Sequence, residues 1–301
     1  MQKFFQRSIT LKKSILKFLN LINSFIDSIN LLTFQCLQTK IYCIMSFKDD
    51  MKSKCNFSYE HYIEILNLLK KRNYKFSFFS QKPNLKNKKI YLRHDVDFSL
   101  DTALQLAKIE SGEQINSVYF IRLAGPFYNI FKTENVKILN EIISLGHQIG
   151  LHFEGDSGID LYGKSIPKKE AIEYAVEKQI KTLKTYFKVS KIISFHCPHL
   201  AKSIINKSFK NFISTYSYDF FGKTKYLSDS TGNWREGCVC NLLKSDKTPN
   251  NLQLLMHPIW WGRKNKLNSD KHYYKNLWKL FKELDSASAR EHPFYKKRYS
   301  V

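Results

Sequence analysis

Residues 90–99 read IYLRHDVDFS, and this stretch decides the fold. Ile90–Val96 is predicted as a strand. Ser99 then stands at an N-cap position ahead of Leu100, Ala103, Leu104, Leu106 and Ala107, which recur at helical spacing. A strand running into a capped helix is one βα unit, and the chain downstream repeats it. Strands are predicted at Ser117–Leu123, Gln148–Phe153, Ile192–Phe195 and Gln253–Met256. Helices are predicted at Val136–Leu145 (closed by Gly146), from Ser165 and Pro167 to about Phe187, at Ser203–Ile213 and at His272–Leu284. Upstream, Ser58–Arg72 is a helix with Tyr62, Ile65, Leu66 and Leu69 on its apolar stripe, ended by a loop at Gln81–Lys88. Such alternation predicts a parallel α/β sheet, open or closed into a barrel.

The 301 residues suffice for one large domain, and 43% hydrophobic with 25% charged residues is a globular balance. The formal charge of +23 would suit nucleic acid. The cations are dispersed through a Lys/Asn-rich chain rather than gathered in a stripe, so no specific nucleic-acid partner is expected. No run approaches 18 apolar residues, so no transmembrane segment is expected. Residues 1–50 read as a helical extension apart from the domain at 51–301. Ile15, Phe18, Leu19, Ile22, Phe25, Ile26 and Ile29 have helical spacing behind Lys3, Arg7, Lys12 and Lys13. This segment fits a helix packed on the domain, peripheral membrane contact through residues 1–45, or upstream sequence outside the working protein. Asn20, Asn23 and Asp27 interrupt its apolar centre, against an export signal, so the expected location is cytoplasmic or membrane-peripheral. The six cysteines form no disulfide framework. Cys238 and Cys240 make a C-x-C with no second pair to complete a zinc site, which favours reduced thiols.

Polar residues gather at the predicted strand ends. Asp95 and Asp97 fall on one face of the first strand, with Val96 turned away. Two ionised carboxylates so close repel unless a dication joins them, leaving one as ligand and its neighbour free as a base. The competing reading is a loop-end Asp pair before Ser99, but two caps are not needed. His152, His196 and His199 add imidazoles, which with carboxylate oxygen suit zinc and related divalent metals. Any one of them alone is as readily a satisfied core histidine. His257, between Leu255-Met256 and Pro258-Ile259-Trp260-Trp261, sits where a histidine can donate a proton near neutral pH, or be a buried structural residue. In parallel α/β folds such strand ends converge on one face.

Taken together, this pattern resembles the polysaccharide deacetylases (NodB homology, carbohydrate esterase family 4), within them a branch of surface-polysaccharide biosynthesis. The resemblance covers about Ser58 to Trp261. It rests on Asp95 and Asp97, on the lead-in Gly146-His147-Gln148-Ile149-Gly150 before His152, and on His196-Cys197-Pro198-His199 after Phe195. Asp229-Ser230-Thr231-Gly232-Asn233-Trp234-Arg235 and Leu255-Met256-His257 complete it. It implies a distorted (β/α) barrel of about seven parallel strands, of the glycoside hydrolase/deacetylase type. It further implies a hydrolase that removes acetyl from an N-acetylated sugar or glycan with one divalent metal ion, zinc before cobalt or manganese.

Two positions depart from the family. Its second metal histidine falls where this chain has Asp156, and its third-motif arginine is replaced by His196. The resemblance then implies a relocated shell of Asp97, His152 and His196, with Asp95 as base and His257 as acid. Glu154, Asp156, His199, Asp229 and Arg235 are candidate supports, and Trp234, Trp260 and Trp261 candidate substrate walls, each equally able to be core. The alternatives are a weakened site in a sugar-binding protein that cleaves nothing, and a hydrolase of a non-sugar amide.

Overall fold

The computed structural model describes residues 56–84, 86–155, 161, 168–198, 204–263 and 269–292. The predicted extension at 1–50, and with it Asp156, Ser165, Pro167 and His199, lies outside the described residues.

Among those residues the centre is one parallel sheet of eight strands. They are β1 Lys75–Phe76, β2 Lys89–Val96, β3 Val118–Ile121, β4 Gln148–Phe153, β5 Val189–Phe195, β6 Ile213–Ser214, β7 Lys225–Ser228 and β8 Asn251–Met256. The order is β6-β5-β4-β3-β2-β8-β7, with β1 lying along the first residues of β2 below β3. The sheet curls into a half-barrel: Arg93 of β2 reaches Thr215 and Tyr216 beyond β6, on the far side of the interior. This is the expected distorted barrel. No described helix is long and apolar enough to cross a membrane.

Strand periodicity sorts the side chains. On β4 and β5, Ile149, Leu151, Phe153, Ile193 and Phe195 turn outward. They meet helices α2 (Leu100–Gly112), α3 (Thr133–Ser144) and α4 (Lys169–Tyr186) in one apolar cluster. Ile90, Leu92, Leu252, Leu254 and Met256 turn outward against α1 (Tyr59–Lys71) and the short α5 (Val239–Lys244). The intervening residues face inward. Phe79, Tyr91, Val118, Phe120, Ile192 and Phe220 fill the lower interior, each large ring worth about 1.5–3 kcal/mol on burial. Phe120 needs the space beside Gly150, where an added Cβ would lie 2.6 Å from its ring and 2.8 Å from the Ile192 carbonyl. With the lower interior plugged, the polar inward residues lie above it.

The predicted strand Gln148–Phe153 agrees end to end, Ser99 caps α2 as predicted, and Ser58, the first residue of the predicted helix, is the N-cap of α1. Gly146 follows α3 at φ +93, a left-handed turn position. The helix predicted at Ser203–Ile213 is corrected: 205–212 is not helical but an irregular segment of turns and bends leading into β6. Asn206 there takes φ +60 and bridges Ser217, and Phe209 and Phe212 stack on each other beside Phe195. The last helix, α6, is longer than predicted, Ser269–Glu291.

Candidate active site

At the C-terminal ends of the strands the inward positions carry the chemistry. Asp97 follows β2, His152 lies on β4, and His196 follows β5, its amide extending the sheet by donating to the Phe153 carbonyl at 2.8 Å. One ligand atom from each of these three lies within 4.8 Å of the others. Asp97 Oδ1 is 3.1 Å from His152 Nε2 and 3.3 Å from His196 Nδ1, and the two imidazole nitrogens are 3.1 Å apart. His152 Nδ1 donates to the Ser194 carbonyl at 3.0 Å, which turns Nε2 toward the cluster. This is the outer hydrogen bond that metal-ligating histidines make.

Despite those distances, Asp97 Oδ1 is buried with no properly angled hydrogen bond among the described residues. Three donor atoms facing a shared centre, with an orphaned carboxylate oxygen among them, fit one divalent cation. Burial would raise the Asp97 carboxyl, but His152 and His196 hold it well below the usual range. His196 is pushed up to about 10, burial being outweighed by Asp97 and Cys197, so a bound cation must displace its proton. Cys197, next in the chain, adopts φ +44, a strained position at the site.

Asp95 lies one inward position below Asp97. Its Oδ2 accepts from Ser194 Oγ at 2.9 Å and Arg93 Nη2 at 3.2 Å, while Oδ1 has no partner among the described residues. The Arg93 guanidinium is wholly buried, also donates to Tyr216 at 2.6 Å and to Thr215, and lies 4.7 Å from the Tyr216 ring.

Across the site, His257 Nε2 is 3.8 Å from Asp97 Oδ2. Its Nδ1 donates to Asp229 Oδ1 at 2.7 Å, and its amide bonds both Asp229 oxygens. Trp261 Nε1 donates to Asp229 Oδ2 at 2.8 Å. Burial alone would lower His257, but Asp229 outweighs it and pushes the imidazole up to about 9.

Asp95, Asp97, His152, His196 and His257 line a cavity of about 810 Å³ walled by Trp234, Trp260 and Tyr273, with the exposed Arg235 at its edge. Trp261, predicted as a wall, is instead core: it is 1% exposed and packs on Phe57 and Tyr62. Glu154 is an ion-pair partner of Arg122 and stands outside the three-residue cluster. Arg93 and Ser194 were not anticipated. Strand alternation was the available signal, since each lies two residues before a group already singled out, Asp95 or His196.

No protein-family model and no curated protein matches the chain. Similar solved structures are carbohydrate esterases and deacetylases. A family 4 carbohydrate esterase from Bacillus anthracis is 15% identical over 72% of this chain and 85% of that one, with TM-score 0.35. The chitin deacetylase of Colletotrichum lindemuthianum is 14% identical over 69% and 86%, with TM-score 0.39. A family 4 pseudoenzyme from Bacillus anthracis is 14% identical over 67% and 63%, with TM-score 0.36. Likenesses this shallow assign no reaction.

Proposed function

We propose that the chain is a metal-dependent hydrolase removing the acetyl group from an N-acetylated sugar, in surface-polysaccharide biosynthesis. The observation that carries this reading is one cavity holding three metal-type donors between a carboxylate with an unused oxygen and a histidine fixed by a buried carboxylate. Asp97, His152 and His196 would hold one divalent ion; a carboxylate with two imidazoles suits zinc, with cobalt or manganese as alternatives. Such an ion supplies Lewis-acid polarisation and lowers the pKa of water from 15.7 to about 7.

The residues around it divide the proton work. Arg93 and Ser194 hold Asp95 by Oδ2, so Oδ1 is the atom that accepts the proton of the attacking water. On the other side, Asp229 fixes His257 through Nδ1, leaving Nε2–H directed at the site. That proton goes to the departing amine nitrogen, which leaves poorly as an anion. The flat rings of Trp234 and Trp260 suit a sugar face.

The test is acetate release by the zinc-loaded full chain from N-acetylglucosamine oligomers, nucleotide-linked N-acetyl sugars and simple acetamides. Release from the sugars supports the reading. Release from acetamides alone moves the substrate to non-sugar amides, and glycan binding without acetate makes this a binding protein.

A further inference from the structure

The C-x-C at 238–240 has no second cysteine pair in the sequence, yet the fold supplies it with a histidine. Cys238 stands at the N-cap position of α5 and Cys240 in its first turn, while His61 stands on α1, 177 residues before Cys238. All three are buried in the layer between these helices and the outer face of β2 and β8. We propose that His61, Cys238 and Cys240 form a second metal site, for a thiophilic divalent ion such as zinc. This goes beyond the hydrolase reading and does not depend on it.

One ligand atom from each residue lies within 4.8 Å of the other two, and His61 Nε2 is 3.3 Å from Cys238 Sγ. A tetrahedral zinc with Zn–N near 2.05 Å and Zn–S near 2.3 Å sets an N···S separation of roughly 3.5 Å, a few tenths away. The imidazole is already turned for the task. Its Nδ1 donates to Glu64 Oε2 at 2.9 Å, so the Nε2 lone pair points at the sulfur. A carboxylate behind a histidine in this way fixes its tautomer and raises its basicity as a ligand. Neither cysteine is in a disulfide, and binding releases the thiol protons to solvent.

Two thiolates and an imidazole make a soft set, unlike the oxygen-nitrogen set at Asp97, so the two sites differ in kind. An ion here would tie α1 to α5. It would also brace the active site from behind, because the His61 ring stacks on Trp261 at 6.4 Å and 20°, and Trp261 donates to Asp229.

The full chain, stripped of metal and titrated with cobalt(II), gives the test. Two equivalents should bind, and one should produce thiolate-to-cobalt charge-transfer absorption in the near ultraviolet. Cys238→Ser and Cys240→Ser should each lose that band and one equivalent. His196→Ala should lose one equivalent and keep the band, and if the Asp97 site takes no metal the band is still expected. Should the cysteine variants not fold, zinc-edge X-ray absorption on the unaltered protein must find sulfur near 2.3 Å. No band, a band surviving in the cysteine variants, no sulfur at zinc, or a Cys238–Cys240 disulfide in protein purified with reductant would each overturn the site.

Discussion

The outward face of β2 sets His94 against Glu110, and the inward face sets Arg93 and Asp95 beneath Asp97. Both clusters are buried and charged, and both draw on neighbouring strands. Outside, the Glu110 carboxylate accepts from His94 at 2.6 Å, Ser117 at 2.6 Å and Tyr119 at 3.0 Å, and from Tyr62, with His147 Nδ1 at 3.5 Å. Each of its oxygens is occupied. Inside, Asp95 Oδ1 and Asp97 Oδ1 have no properly angled partner among the described residues. A buried carboxylate that is fully bonded holds the fold together, whereas one left short among convergent imidazoles is held for a ligand. The same strand serves both purposes because its period of two separates them.

The largest expected break falls on the inward face. Asp95→Asn keeps the shape but removes the proton acceptor, and turnover should fall by about 10²–10⁴. Metal at the Asp97 cluster should remain, measured as metal per chain; retained acetate release would remove Asp95 as the base. The matching change outside is Glu110→Gln, which leaves the site intact but disrupts the bonded carboxylate. Stability should fall by about 3 kcal/mol, read from the urea midpoint. Its pH dependence sharpens the contrast. Burial would raise the Glu110 carboxyl, but His94, His147 and Ser117 outweigh it and hold it at about 2, below its ordinary 4.5. Its contribution is therefore fully present above about 4.5 and lost as pH falls toward 2. The gap between the native protein and Glu110→Gln should narrow across that window. A gap constant from pH 6 to 2 would mean Glu110 is not ionised in the fold.

How much of this was legible in the sequence follows from the same periodicity. Asp95, Asp97, His152, His196 and His257 stand at the ends of strands long enough to show their alternation, so their convergence could be read directly. β1 and β6 have two residues each, too few to show a period, and neither was found. Ile204, Ile205, Phe209 and Phe212 imitate a helical stripe, but their apolar surface is buried by an irregular segment against the outer core. The His61–Cys238 approach spans 177 residues and no local pattern encodes it. Arg93 was readable in principle. Its guanidinium reaches Asp95 from two residues away on the same strand, where alternation puts both side chains on the inward face.

That reach yields the next prediction. Lysine cannot reproduce the guanidinium fork that reaches Asp95, Tyr216 and Thr215 together. Arg93→Lys should lower kcat by about 10–100-fold through misplacement of Asp95, with KM little changed. An equal fall in kcat and rise in KM would make Arg93 a general support of the cavity rather than of the base.

Trp261→Phe should give the smallest effect and separates two roles for one ring. As a wall, the role expected from sequence, Trp261 would touch the sugar, and its loss would appear in KM. As the structure has it, the ring is buried against Phe57 and Tyr62 and its Nε1 holds Asp229 Oδ2. Phenylalanine keeps most of that packing and deletes the donor. Asp229 Oδ2 would then be left with the 3.1 Å bond from the His257 amide, and the carboxylate that orients the imidazole could turn. A lost hydrogen bond of this kind costs about 1 kcal/mol, roughly fivefold in rate. The fall should lie in kcat, with KM and metal content unchanged, because what is loosened is the aim of His257 and not the grip on the sugar.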